Sequence, residues 1–200
     1  TQRAGPSTGL PTKTEQSDLF QAVYGRNADN PAVVLAAYSP SDCFQIAIEA
    51  VRIAIKFMTP VILLSDGFIS NAAEPWLIPN IKCLKKFRVN FHKKTKGFHP
   101  FLRKKKTLAR VWAIPGTPGL EHRIGGVEKD FDTGNISYDA NNHQKMSETR
   151  AAKIRGVAND LPEQTIDSGP SKGSLVVVGW GSTFGPINRA VSNLQNKGRK

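Results

Sequence analysis

The N-terminal loop of this chain brings together residue types that can bind an anion. Arg3 stands four residues before Ser7 and five before Thr8, within the stretch QRAGPSTG. A guanidinium is planar and permanently charged, so it can hold a carboxylate through two parallel hydrogen bonds. The two hydroxyls and the amides of a glycine-containing turn can complete such a site, but the same composition is typical of ordinary turns. The residues alone therefore leave two interpretations open, a carboxylate site or a plain terminal loop.

A second feature is the basic segment, residues 82–110, which holds twelve of the 28 Lys and Arg residues and no Asp or Glu. The rest of the chain is charge-balanced, so the formal net charge of +12 belongs to this segment. Its cations alternate with Phe87, Phe91, Phe98 and Phe101. Three interpretations stay open: a solvated excursion pinned by its phenylalanines, a docking surface for an acidic protein, or a nucleic-acid site with bases stacked on the rings.

A glycine-rich turn, VVVGWGSTFG, places Gly179, Gly181, Ser182 and Gly185 between an apolar run and a helix. Free amides at a helix N-terminus can bind phosphate. The stretch lacks the G-x-G-x-x-G spacing and the lysine of a P-loop. We therefore favour a tight turn in which glycine allows close packing.

The cysteines and histidines exclude several kinds of metal chemistry. Cys43 and Cys83 lie far apart without a C-x-x-C partner, so they cannot by themselves hold an iron–sulfur cluster or zinc. The four histidines show no spacing typical of metal ligands. Two isolated thiols fit a reducing compartment, and the longest apolar region, residues 43–64, is interrupted by charges and a proline. We predict a cytoplasmic protein without a membrane segment.

The first part of the chain predicts a βαβ unit. A short helix over 13–25 precedes an apolar strand over 31–38, a helix over 39–58 and a second apolar strand over 60–66. The long helix carries one narrow polar stripe that we expect to face water, formed by Asp42, Gln45, Glu49, Arg52 and Lys56. Two strands joined by a helix in so short a span indicate a parallel pair, and hence an α/β fold.

Regular periodicity is weak between residues 79 and 142 and returns in two later segments. Residues 143–161 predict a helix whose inner face is formed by Met146, Ile154, Val157, Ala158 and Leu161. Residues 173–198 predict a strand, the glycine-rich turn and a helix, with the core side formed by Ile187, Ala190, Val191 and Leu194. Since one such strand cannot make a sheet, we expect the chain to be an internal piece of a longer protein.

Seven stretches spread along the chain resemble one enzyme family: QRAGPSTGLPTKTEQSDL, SPSDCFQIAIEAVRIA, TPVILLSDGFISNAAEPW, WAIPGTPGLEHRIGGVEKD, TGNISYD, NHQKMSETRAAKI and VVVGWGSTFGPINRAV. They are similar to the α subunits of 2-oxoglutarate:ferredoxin oxidoreductases, in the 2-oxoacid:acceptor oxidoreductase family. The resemblance implies three parts. Residues 1–80 form the latter part of a parallel-sheet, thiamine-diphosphate pyrimidine-type domain, 81–142 a basic and glycine-rich connection, and 143–200 the start of a transketolase C-terminal-like α/β domain.

The resemblance also implies a reaction. A 2-oxoacid, expected to be 2-oxoglutarate, is oxidatively decarboxylated, ferredoxin accepts the electrons, and coenzyme A receives the acyl group. Thiamine diphosphate supplies the carbanion chemistry. The arginine of the QR-x-GPSTG motif, here Arg3, is expected to hold the 2-oxoacid carboxylate, with Ser7 and Thr8 beside it, and no catalytic base is assigned to this chain.

The remaining cofactor and partner expectations follow from the same resemblance. Thiamine diphosphate with Mg lies at the interface with a β subunit, which also carries a [4Fe-4S] cluster, so this chain alone binds none of them. Ferredoxin is the expected electron acceptor, and the basic segment is a docking candidate for it. A nucleic-acid-binding module built on residues 82–110 is the alternative function.

Overall fold

The computed structural model describes residues 17–27, 29–84 and 86–198. The predicted site residues Arg3, Ser7 and Thr8 lie outside the described residues, as does the first part of the predicted helix over 13–25. The described elements are α1 Ser17–Val23, β1 Val33–Ala36, α2 Asp42–Phe57, β2 Val61–Leu64, α3 Gly67–Asn71, α4 Ala140–Val157 and α5 Phe184–Asn196, with short 3-10 helices at Ile81–Cys83, Ala158–Asp160 and Gly181–Thr183.

The predicted βαβ unit is present. Strands β1 and β2 pair in parallel, with Val33 opposite Val61 and Ala36 opposite Leu64. Helix α2 connects them; the hydroxyl of Ser39 accepts a hydrogen bond from the amide of Asp42 at its first turn (3.3 Å). The parallel-strand α/β class is therefore confirmed.

The hydrophobic core joins this unit to helix α4. Val33, Ile53, Phe57 and Val157 form one buried cluster, and Leu35, Val61, Ile154 and Leu161 pack against it. The prediction that Met146 and Val157 lie on the inner face of their helix is confirmed, since both are buried. Helix α4 thus packs on the βαβ unit, and the division of the chain at residue 142 stays a prediction.

The polar stripe of α2 faces water only in part, since Gln45 and Lys56 are exposed but Asp42, Glu49 and Arg52 are partly buried. Arg52 pairs with Glu49 one turn earlier and with Asp160 in the turn after α4, and Lys56 pairs with Asp160 as well. The hydrogen bonds that Arg52 donates to Glu49 raise the pKa of Arg52 against the effect of burial, so the guanidinium stays charged. Arg52 and Lys56 therefore tie α2 to the end of α4.

The predicted strand over the first part of 173–198 is wrong for the described structure. Residues 175–178 form neither strand nor helix, and Val178 is 87 % exposed. Helix α5 forms as predicted, but its expected core side is not buried, and Leu194 is 49 % exposed. A strand needs a neighbour to accept its backbone hydrogen bonds, and the described residues supply none here.

Candidate functional site at the carboxyl edge of the sheet

Three segments meet where the two parallel strands end. Asp66 follows β2, Tyr38 follows β1, and the glycine-rich turn at Gly181–Thr183 lies against both. The Ser182 amide donates to Asp66 Oδ2 (3.1 Å), and the rings of Tyr38 and Phe184 are 4.8 Å apart. Ligands of open α/β sheets bind at this edge, so we take it as the candidate functional site.

Asp66 is the central polar side chain of this edge. Its Oδ1 accepts from the Ile69 amide (2.9 Å) and caps α3, while Oδ2 accepts from Ser182. Burial raises the pKa of Asp66, but hydrogen bonds from Ser182 and Ile69 outweigh it, so the pKa lies below its usual 3.8. The carboxylate is ionised at neutral pH and joins residues 116 positions apart in the chain.

The glycine-rich turn packs too closely for side chains at two positions. Gly181 has φ +62°, a left-handed conformation, and a Cβ there would approach Asp66 Oδ2 to 3.3 Å. A Cβ on Gly179 would come within 2.2 Å of Ile187 Cδ1. Because the Ser182 amide is already bound by Asp66, the geometry favours the close-packed turn over a phosphate site.

A hydroxyl pair and a second carboxylate lie at the same edge. Ser39 and Ser41 approach to 3.1 Å between hydroxyl oxygens, and the Ser41 amide donates to Glu74. Hydrogen bonds from Ser41 and Ser39 hold the pKa of Glu74 below its ordinary value. The edge therefore presents hydroxyls and two ionised carboxylates, groups that bind or orient a polar molecule.

The donor set of this edge does not fit a metal–diphosphate site. Within residues 17–27, 29–84 and 86–198, no group of three or more His, Cys, Asp or Glu side chains is placed to hold a metal ion. Asp66 and Glu74 already accept backbone amides. We therefore derive no step through thiamine diphosphate from the described residues.

The basic segment divides into outward and inward cations. Lys104, Lys105 and Lys106 are exposed at a tight turn, whereas Arg103 and Arg110 on either side of it are partly buried. Phe101 is buried at 8 % exposure, so this ring does pin the segment, while Phe87 and Phe91 are exposed. The interpretation of a solvated excursion thus holds for part of the segment only.

Two aromatic contacts fix the segment to the rest of the fold. Phe98 lies between the rings of His92 and His122, with both centroid distances at 5.4 Å. The indole of Trp112 donates to the Ile55 carbonyl of α2 (3.1 Å), and the Trp112 carbonyl accepts from the His92 amide. These rings serve packing, and no periodic pattern in the sequence predicts that role.

The comparisons with known proteins define the class. Residues 1–140 match the family described as pyruvate flavodoxin/ferredoxin oxidoreductase, thiamine diphosphate-binding. The match covers more than half of the chain, so the protein belongs to this family.

The relatives narrow the class further. The chain is 52 % identical over 199 residues to the 2-oxoglutarate oxidoreductase subunit KorA of Mycobacterium tuberculosis, covering all of this chain and 30 % of that protein. It is 30 % identical to 2-oxoacid:ferredoxin oxidoreductase 1, subunit alpha, of Aeropyrum pernix, covering 98 % of this chain and 31 % of that subunit. The chain thus spans about a third of the length of these relatives.

A solved structure shares the whole fold. It is 2-oxoglutarate:ferredoxin oxidoreductase from Magnetococcus marinus with 2-oxoglutarate, coenzyme A and succinyl-CoA bound. The TM-score is 0.89 at 31 % identity, covering all of this chain and 34 % of that one. The resemblance stated from the motifs is confirmed at the level of the family. No helix among the described residues is long and apolar enough to span a membrane.

We predict that Asp66→Asn detaches the glycine-rich turn from the sheet edge. The amide side chain is a weaker acceptor than the carboxylate, so we expect a loss of about 1–2 kcal/mol in the free energy of unfolding. Because the pKa of Asp66 is lowered on folding, this contribution is complete above its usual 3.8 and is lost as the pH falls below that value. Urea titrations of both proteins at pH 7 and pH 3 measure the free energy of unfolding lost in Asp66→Asn. An equal loss at the two pH values would contradict the role given to the ionised Asp66.

Proposed function

We propose that this chain is the central part of the α subunit of an enzyme that oxidatively decarboxylates 2-oxoglutarate. The observation that carries the proposal is 52 % identity along the whole chain to a 2-oxoglutarate oxidoreductase subunit. In the proposed reaction, 2-oxoglutarate and coenzyme A give succinyl-CoA, CO₂ and a proton, and two ferredoxins each accept one electron. Thiamine diphosphate supplies the carbanion chemistry when bound.

Arg3 is the proposed anchor for the 2-oxoacid carboxylate. It lies in the matched family region, and a guanidinium offers two parallel donors to a carboxylate. Ser7 and Thr8 add hydroxyl donors beside it. No catalytic base is assigned to this chain.

The β subunit is the proposed partner, and it supplies the Mg–diphosphate contacts and the [4Fe-4S] cluster. Support comes from a group of exposed apolar side chains in the segment after α3, formed by Trp76, Leu77, Ile78 and Ile81. All four side chains are exposed, Leu77 at 93 %. A contiguous exposed apolar patch of this kind is typical of a protein interface. The assembled enzyme is proposed to work in the cytoplasm.

The substrate assignment is tested with the complete α subunit assembled with its β subunit. Initial rates of ferredoxin reduction are measured with 2-oxoglutarate, pyruvate and 2-oxobutyrate. We expect kcat/KM to be highest for 2-oxoglutarate. A higher value for pyruvate would contradict the choice of 2-oxoacid without contradicting membership of the family.

Ferredoxin docking on the basic segment is a separate prediction. Lys104, Lys105 and Lys106 are exposed, so replacing all three with Gln is expected to lower kcat/KM for ferredoxin by about tenfold at low ionic strength. The difference should vanish in high salt, where exposed charges are screened. Rates with a small artificial electron acceptor should not change.

The matched control removes three exposed cations elsewhere, Arg155, Lys172 and Lys197, again by substitution with Gln. Its ferredoxin kinetics should match those of the unmodified enzyme. An equal loss in both triple variants would show a general charge effect and contradict a docking site at this turn. The nucleic-acid alternative finds no support in the family or in the relatives and is not retained.

A further inference from the structure

A cleft of about 390 Å³ lies between the basic segment, the loop 124–129 and helix α4. Five cationic side chains line it: Arg103, Arg110, Lys129, Arg150 and Lys153. Glu128 is the one acidic residue among its described lining residues. The cleft is therefore strongly positive, although it is built from three separate parts of the chain.

The turn at residues 104–109 brings two arginines opposite each other. Arg103 and Arg110 face each other across an isolated antiparallel bridge, and the Lys104 amide donates to the Ala109 carbonyl (2.9 Å). Both groups flank the ring of Phe101, at 5.8 and 4.7 Å from its centroid. The pair is thus held in position by backbone bonding and by cation–π contacts.

Helix α4 forms the opposite wall. Met146, Arg150 and Lys153 recur at helical spacing and so share one face of the helix. The ammonium of Lys153 donates to the Met58 carbonyl at the end of α2 (3.1 Å). Arg150 reaches Asp29 at 3.4 Å and Glu128 at 3.8 Å, and its Nε is buried without a hydrogen-bond partner in the described structure.

Most of these cations are bonded to neutral groups. Arg103 donates to the carbonyls of Phe101 (3.0 Å) and Phe131 (2.7 Å). The buried Lys129 donates to the carbonyls of Gly125 (2.8 Å) and Val127 (2.7 Å). Carbonyls satisfy the donors but do not neutralise the charge, so the cations repel one another in a partly dry site.

Burial is the largest cause of the lowered pKa of two of these groups, and the neighbouring cations add to it. Burial, followed by the charges of Arg103 and Arg110, lowers the pKa of Lys153 to about 8. Burial and the charge of Arg110 lower the pKa of Arg103 to about 10, so its guanidinium remains charged at neutral pH. Both directions are those of partly buried cations beside other cations, and the opposing charge of Asp132 does not reverse the shift of Arg103.

We propose that this cleft binds the phosphate groups of a small organic phosphate ester or diphosphate. Guanidinium and ammonium groups converge on it from three elements, which suits a tetrahedral anion whose oxygens point in several directions. Its volume is in the range of small-molecule sites, and Phe101, Ile124 and Val127 offer apolar surface to an organic group. The inference does not depend on the proposed 2-oxoacid chemistry.

The test measures binding of inorganic pyrophosphate, ADP and succinate to the complete subunit by titration calorimetry at constant ionic strength. We expect saturable binding of pyrophosphate and ADP at one site, with succinate weaker by about tenfold. If ADP binds more tightly than pyrophosphate, the organic part of the ligand also contacts the cleft. If the two bind equally, only the diphosphate contacts it. Both results support the site. Succinate binding as tight as that of pyrophosphate would overturn the phosphate assignment.

Matched variants locate the binding. Arg110→Gln and Lys153→Gln should each weaken pyrophosphate binding by about tenfold or more. Lys106→Gln and Arg155→Gln remove exposed cations from the same two parts of the chain, but outside the cleft. Each should change the affinity for pyrophosphate by less than about twofold. No binding of pyrophosphate or ADP, or equal losses in the control variants, would overturn the proposal.

A thermal measurement separates binding from folding. Lys153→Gln relieves repulsion among the cleft cations, so without added anion its melting temperature should not fall. Pyrophosphate should raise the melting temperature of the unmodified protein and raise that of the variant less. An unchanged pyrophosphate effect in the variant would contradict a role for Lys153 in the site.

Discussion

Replacing Arg3 with alanine is expected to lower kcat/KM for 2-oxoglutarate by about a hundredfold or more. Truncating one partner of a hydrogen-bonded charge pair costs about 2–5 kcal/mol, and each 1.4 kcal/mol is tenfold. Arg3→Lys keeps the charge but loses the planar fork, so it should recover only part of the rate. Steady-state kinetics of the assembled enzyme over a range of 2-oxoglutarate concentrations measure both variants.

The control for this prediction is Lys13→Gln, which removes a cation from the same N-terminal stretch. It should leave kcat/KM for 2-oxoglutarate unchanged, because Lys13 lies outside the QR-x-GPSTG motif. Full activity of Arg3→Ala would contradict the proposed anchor. The loss of activity in Arg3→Ala should be compared with a 2-oxoacid that has no second carboxylate. An equal loss with both substrates agrees with Arg3 binding the carboxylate next to the keto group.

The largest effect on stability is expected at Phe57. This ring is 2 % exposed and lies in the buried cluster that joins α2, β1 and α4. Phe57→Ala removes most of a buried aromatic side chain and leaves a cavity, so the free energy of unfolding should fall by about 3–5 kcal/mol. Urea titration of the purified full chain, followed by far-ultraviolet circular dichroism, measures the change.

Phe20→Ala is the matched control, since Phe20 is 67 % exposed. Its free energy of unfolding should change by less than about 0.5 kcal/mol. The Phe57 substitution should also weaken pyrophosphate binding, because α4 carries Arg150 and Lys153 and packs on the same cluster. A stability of Phe57→Ala equal to that of the unmodified chain would contradict the described core.

The βαβ unit could be predicted because its local signals agree. Two short apolar runs flank a helix whose polar residues recur every three or four positions, and each run finds its partner nearby in the chain. The partner of the polar stripe could not be predicted in the same way. Arg52 meets Asp160, which is 108 positions away, and no local pattern encodes such a pairing.

The apolar run at 175–178 shows the opposite case. Its β-branched composition predicts a strand, but composition does not supply a neighbouring strand, and the run is irregular and exposed in the described structure. A charge count has a similar limit in the basic segment. It located the cations, but the turn at 104–109 decides that Arg103 and Arg110 point into a cleft while the lysines between them face water.

The candidate site was only partly accessible to sequence reasoning. The motif that contains Arg3 was found from residue types and from the family resemblance, and its assignment stays a prediction because it lies outside the described residues. The predicted strand over 60–66 ends at Asp66, so its position could be predicted. Its hydrogen bond with the Ser182 amide depends on a distant turn folding back onto the sheet. Such contacts follow from tertiary packing and carry no spacing signal.

The most direct test of the central claim is a product balance for the complete α subunit assembled with its β subunit. Labelled 2-oxoglutarate, coenzyme A and oxidised ferredoxin are supplied, and CO₂, succinyl-CoA and reduced ferredoxin are quantified. We expect one CO₂ and one succinyl-CoA for every two ferredoxins reduced, with no turnover when 2-oxoglutarate or the β subunit is omitted. A folded, cofactor-loaded assembly that forms neither CO₂ nor succinyl-CoA from 2-oxoglutarate would contradict it.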